Sequence, residues 1–174
     1  MKFKLIIFLT LVFCNYYSQT YKNLNKYKGF KEIWIGEDIS KYKSNTIKIL
    51  KNDKKYYGGM PETDKDVYFY QSSTTKTIFG YKIASVYVVT NYYGKVSQIS
   101  IILSKPDNEQ QILNFFETEF GIPYNAKAMN QPDNQLYIWS GDEIALRVKY
   151  MPHNGNKYVA VDYLESYDKV QSDK

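Results

Sequence analysis

The chain has 174 residues, with 23 lysines and arginines against 18 acidic residues and a formal net charge of +5. That length suits one domain with a hydrophobic core of its own, and the charge is too mild to imply nucleic acid or an anionic membrane as a partner. One cysteine cannot make a disulfide framework, and one histidine leaves no paired-histidine zinc motif.

The opening MKFKLIIFLTLVFC sets Lys2 and Lys4 before an apolar run from Leu5 to Cys14. A charged start and a short apolar run make an export signal, and the run is too short for a membrane-spanning helix. Ser18 has the small side chain that signal cleavage needs, so residues 1–18 are read as the signal and Gln19 as the first mature residue, despite the bulk of Tyr16. Leu11-Val12-Phe13-Cys14 resembles a lipobox, but Phe13 stands where a small residue is required. Ordinary cleavage is therefore preferred to a lipid anchor on Cys14. The mature chain would keep 156 residues, 21 basic and 18 acidic, with no cysteine. The expected location is periplasmic or secreted, with no transmembrane segment in the mature chain.

Residues 19–29 are polar and read as a flexible lead-in, followed by one α+β domain over 30–164 and a charged, disordered tail over 165–174. Phe30 to Gly36 reads as the first strand, and Asp38 as the cap of a short helical turn, Ile39 to Tyr42. Thr46 to Leu50 is a weak strand; Lys51 to Asp66, with Gly58-Gly59 and Pro61, is a long loop. Val67 to Tyr70 is a short strand, and Ile78 to Tyr81 approaches the central hairpin.

That hairpin, Ile83 to Leu103, organises the rest. Tyr87 and Val89 share one side with Ile83 and Ser85; Ala84, Val86, Val88 and Thr90 share the other. The turn lies at Asn91 to Lys95, where Gly94 or Asn91 takes the awkward dihedral. A helix from Asn108 to Phe120 follows, with Ile112, Phe116 and Phe120 four apart, Gly121 at its end and Pro123 barring continuation. Tyr124 to Asn134 reads as loop. Leu136 to Trp139 and Glu143 to Tyr150 form a second hairpin around Ser140-Gly141-Asp142, and Lys157 to Leu164 is the last strand. The fold class is α+β: an antiparallel or mixed sheet of two hairpins plus further strands, with one main and one short helix packed on one face.

Catalytic chemistry needs convergent groups, and the candidates are thin. His153 lies in a Pro152-His153-Asn154-Gly155 turn, where exposure explains it, and no Gly-x-Ser-x-Gly elbow accompanies it. Asp142 and Glu143 sit at a turn. Asp162 interrupts an apolar strand, where it can point outward beside Ala160. Glu62, Asp64 and Asp66 have the spacing of early calcium ligands but lack the later glycine and glutamate, so they read as a solvated loop. No metal and no cofactor is expected.

Tyrosine is the unusual residue, with 19 in the chain beside 9 Phe and 2 Trp. A/T-rich codons and core packing account for much of that excess. Tyrosines in loops are the remainder, because flat apolar area with a polar handle suits recognition. Tyr56 and Tyr57, Tyr92 and Tyr93, and Trp139 are the candidate binding residues.

Phe30-x-x-Ile33-x-x-Gly36, the hairpin and helix, and Phe120-Gly121-Ile122-Pro123 resemble small exported envelope proteins of Bacteroidetes-type Gram-negative bacteria. Ser18-Gln19-Thr20 is similar to their cleavage style. A fainter likeness runs to the small α+β envelope assembly lipoproteins, from which Phe13 departs. The resemblance implies no reaction and no catalytic residues. The expected function is a non-enzymatic interaction or ligand-binding domain, with an envelope protein, peptide or glycan as partner. The alternatives are a small hydrolase or an inhibitor or immunity-like protein.

Overall fold

Period-two sequence makes most of this molecule sheet. The computed structural model describes residues 24–50, 52–53, 60–61, 63–71, 77–78, 80–104, 109–127, 135–153 and 156–165. In chain order the strands are β1 (Gly29–Phe30), β2 (Ile33–Trp34), β3 (Thr46–Lys48), β4 (Val67–Tyr70), β5 (Thr77–Ile78), β6 (Tyr81–Thr90), β7 (Val96–Leu103), β8 (Tyr124–Lys127), β9 (Gln135–Ser140), β10 (Ile144–His153) and β11 (Asn156–Glu165). Helix α1 is Glu109–Phe120, and Ile39–Tyr42 forms a 3-10 turn. The large sheet runs β3-β4-β6-β7-β11-β10-β9-β8, with β5 also on β6, and β1-β2 is a separate ribbon. All recorded pairings are antiparallel, and both expected hairpins lie within the sheet. The fold is α+β.

One sheet face carries the main core. Val88, Ile99, Ile101, Leu146, Val148 and Val161 join Ile112, Phe116 and Phe120 of α1 in one buried cluster. The Phe116 and Trp139 rings meet at 5.6 Å between centroids, which ties helix to sheet. Burying each such side chain is worth about 1.5–3 kcal/mol. A bulge opposite Leu103 and Ile102, between Ile83 and Ser85, carries Ile83 onto this face instead of leaving it with Tyr87 and Val89. The opposite face holds a smaller core of Ile49, Val67, Tyr87, Val89, Ile102 and Ala160.

Three expectations are corrected. The lead-in is not loose over its last part: Leu24 is 1% exposed, and Tyr27 sets its ring edge-on to Phe120 at 5.3 Å. Phe30 to Gly36 is not one strand, because Lys31 takes a positive φ of 56° and folds Gly29–Trp34 into a tight ribbon. The helical turn expected over Ile39–Tyr42 is a 3-10 turn with Asp38 as its cap, the carboxylate accepting from the Ser40 N–H at 2.8 Å. The stretch after Pro123 is partly strand: β8 pairs along β9 from Tyr124 opposite Ile138 to Lys127 opposite Gln135. Tail residues 166–174 lie outside the described residues. No helix among the described residues is long and apolar enough to cross a membrane.

Candidate functional site

The β6–β7 turn is built to hold its tip still. The Asn91 side-chain oxygen accepts from the N–H groups of Tyr93 at 3.0 Å and Lys95 at 3.1 Å. Backbone bonds run from Asn91 N–H to the Lys95 carbonyl at 2.8 Å and from Gly94 N–H to the Asn91 carbonyl at 3.0 Å. Gly94 takes the left-handed φ of 74° that this closure needs. Tyr92 and Tyr93 therefore sit on a fixed backbone, 81% and 86% exposed.

Two segments buttress the tip. On one side, Gly36 N–H donates to the Val96 carbonyl at 2.7 Å, Val96 N–H to Glu37 at 2.8 Å, and Ile39 N–H to Gly94 at 3.0 Å. On the other, the Tyr92 hydroxyl donates to Asp64 at 3.1 Å, and Thr90 N–H to the Asp66 carbonyl at 3.1 Å. Asp66 is also paired with Lys48 at 2.6 Å. Asp64 and Asp66 thus spend their carboxylates holding the tip and its neighbours; Glu62 lies outside the described residues.

The first buttress is itself pinned by two tyrosine–carboxylate contacts. Buried Tyr42 donates its hydroxyl to Glu37, which also takes the Lys41 ammonium at 2.9 Å, while Trp34 N–H donates to the Tyr42 oxygen at 3.2 Å. Buried Tyr70 donates to Glu32, joined by the Asn45 amide at 3.2 Å. These hydroxyls, Tyr70 on Glu32 and Tyr42 on Glu37, hold both carboxyls below their ordinary range. Burial, helped by Glu37, pushes Tyr42 up to about 12.

A pH effect follows from those shifts. A carboxyl with a depressed folded pKa adds stability above its unfolded value of about 4.3, and that stability disappears as pH falls through the folded value. Thermal unfolding followed downward from neutral pH should therefore show a falling midpoint below about pH 4.5. Glu32→Gln with Glu37→Gln should start less stable and flatten that slope; an unchanged slope would show that neither contact is linked to folding.

No family model, curated protein or solved structure matches the chain. The tip must therefore be weighed against the other candidate residues on geometry alone.

Tyr56 and Tyr57 lie outside the described residues. Trp139 is no contact residue: it is 5% exposed, its indole N–H donates to the Gly121 carbonyl at 2.7 Å, and its ring lies against Phe116 and Phe120. On alternating positions of β9 it faces the helix-side core with Leu146 opposite. The tip is thus reduced to Tyr92 and Tyr93.

Asp162 does not reach solvent, contrary to the outward placement its strand pattern allowed. It is 1% exposed, between Ser100 of β7 and Arg147 of β10 in the strand register. Ser100 donates its hydroxyl to one carboxylate oxygen; the Arg147 Nε and Nη2 groups donate to the other at 2.8 and 2.6 Å, with Lys149 at 3.7 Å. Ser100 is 2% exposed, so neither it nor Asp162 presents a reacting atom at the surface. Asp142 is exposed at the β9–β10 turn, and Glu143 forms an ion pair with Lys28. The described part of the chain brings none of these groups together with another into a reacting pair. It also holds no cluster of three or more His, Cys, Asp or Glu able to bind a metal ion.

Sequence reasoning named the tip tyrosines but missed their support. Asn91 was legible as a turn residue, and its place two before Tyr93 and four before Lys95 is the signal for a side chain capping both amides. The Glu32–Tyr70 contact joins residues 38 apart in the chain and left no local trace.

Proposed function

We propose that the protein is an exported, non-enzymatic binding module whose contact surface is the β6–β7 tip. The observation that carries this reading is the display of Tyr92 and Tyr93, side by side and almost fully exposed, on a turn locked by Asn91. An exposed tyrosine loses little entropy on binding and offers both apolar area and a hydroxyl. Fixing the backbone beforehand removes part of the ordering cost of association. Export rests on the signal-like start at Lys2 to Cys14 and the small residue at Ser18. The partner class is an envelope protein, a peptide or a glycan.

The test compares the protein with its Tyr92→Ala, Tyr93→Ala double variant in affinity capture from envelope extract and on glycan and peptide arrays. Tip residues acting as hot spots would each cost about 2 kcal/mol or more, so capture should fall at least about 100-fold. Stability should stay within about 0.5 kcal/mol, since neither ring is buried. Equal capture by the double variant would sink the assignment.

A further inference from the structure

Hydrogen-bond direction at the tip selects the chemistry of what can dock there. The Tyr92 hydroxyl donates to Asp64 Oδ2 at 3.1 Å. That bond and the negative charge behind it raise the phenol above its ordinary pKa, so the proton stays in place. The one donor of Tyr92 is thus used within the protein. Left for a partner are the ring face, the phenol lone pairs and most of the Asp64 carboxylate, because one bond takes one of its roughly four acceptor sites. Asp64 is exposed. Glu37 has Lys41 and Asp66 has Lys48, but among the described residues no cation pairs with Asp64. The lysine of the turn, Lys95, stands opposite Asp38 in an isolated bridge, on the other flank of the tip. Beside Tyr92 the surface is aromatic, accepting and negative.

Ligand classes meet that surface differently. An anion is repelled by Asp64. A neutral sugar hydroxyl can donate to the carboxylate, yet leaves its charge uncompensated as the interface sheds water. A guanidinium compensates the charge, donates paired N–H groups to a carboxylate and stacks on a tyrosine ring. We infer that the tip receives an arginine side chain of a partner protein, its guanidinium over an exposed tyrosine ring and donating to Asp64. Asp64 then has two tasks, orienting Tyr92 and selecting the cation. The assignment rests on the tip being the contact surface and names the chemistry of its partner.

The test titrates the 15N-labelled protein with a capped glycine–serine–arginine–serine–glycine peptide. Controls carry citrulline, which keeps the shape of arginine without its charge, or glutamate at the central position. Amide shifts should concentrate at Asp64 and residues 91–95, with a dissociation constant below about 10 mM and both controls at least about tenfold weaker. Asp64→Asn keeps an acceptor for Tyr92 and removes the charge at an exposed position, so the fold is undisturbed. It should weaken the arginine peptide at least about tenfold and leave the citrulline peptide unchanged. Equal binding of arginine and citrulline, shifts centred elsewhere, indifference to Asp64→Asn, or no saturable binding up to about 10 mM would each overturn the inference. Capture from envelope extract keeps the two readings apart. Capture lost in the Tyr92→Ala, Tyr93→Ala variant but kept in Asp64→Asn retains the tip as a contact surface and removes the arginine. Capture kept in both removes the tip as well.

Discussion

Replacing Arg147 with methionine should lower the stability of the fold by about 3–5 kcal/mol. The cost comes less from a lost attraction than from what stays behind. Asp162 remains under the sheet surface with the Ser100 hydroxyl on one oxygen and only Lys149, 3.7 Å away, near the other. A buried carboxylate stripped of a two-donor partner loses both Coulombic and hydrogen-bond compensation for its desolvation. Lys149 can move closer, which favours the lower end of the range. Adding Asp162→Leu and Ser100→Ala to Arg147→Met removes the whole polar cluster and should recover most of the loss, because an apolar replacement no longer needs compensation. Urea unfolding midpoints at unchanged m-value measure both steps. A single-variant cost under about 1 kcal/mol would mean that Asp162 finds water or another donor, and that its burial is not maintained without arginine.

Asp162 also shows where a strand pattern stops being informative. Alternation places Val159, Val161 and Tyr163 together and Asp162 opposite them, as the structure has it. Alternation does not say whether the opposite face is wet. The hint was in β6 and β7, where Tyr87, Val89 and Ile102 are apolar on the side away from the helix and are buried in the second core. Strands apolar on both sides are covered on both sides. The hairpins and α1 were legible because long periodic runs end at strong turn residues: Gly94 with φ 74° and Gly121 with φ 83°. Strand β8 was not, because Tyr-Asn-Ala-Lys is only four residues long, too short for its alternation to stand out, and it is made a strand by pairing with β9. The exposure of Tyr92 and Tyr93 was readable from their place in a turn, whereas the burial of Trp139 was not, because a strand residue beside a turn can face either way.

A chain begun at Phe30, the domain start that sequence alone suggested, should fail to unfold cooperatively, whereas one begun at Gln19 should fold. Of the lost residues, 24–29 form a strap on the main core. Leu24 is 1% exposed and lies against Gly141, at which an added Cβ would come within 3.3 Å of the leucine and 2.8 Å of the Asn25 side-chain oxygen. Tyr27 covers Phe120, Lys28 pairs with Glu143, and Ile35 N–H donates to the Lys28 carbonyl at 2.8 Å. Emptying the Leu24 site costs about 2–5 kcal/mol, and uncovering an aromatic pair adds about 0.5–1.5 kcal/mol beyond its area. The exposed Lys28 pair adds little. Against a total stability of about 5–15 kcal/mol for a domain, that loss removes a large share of the margin. Leu24→Ala in the longer chain gives the graded version, a melting midpoint lowered by roughly 4–20 °C. Gly141→Ala tests the same contact from the other side, since its methyl must displace Asn25. If the chain from Phe30 melts cooperatively within a few degrees of the longer one, the strap is an ornament of the fold, and the core closes without it.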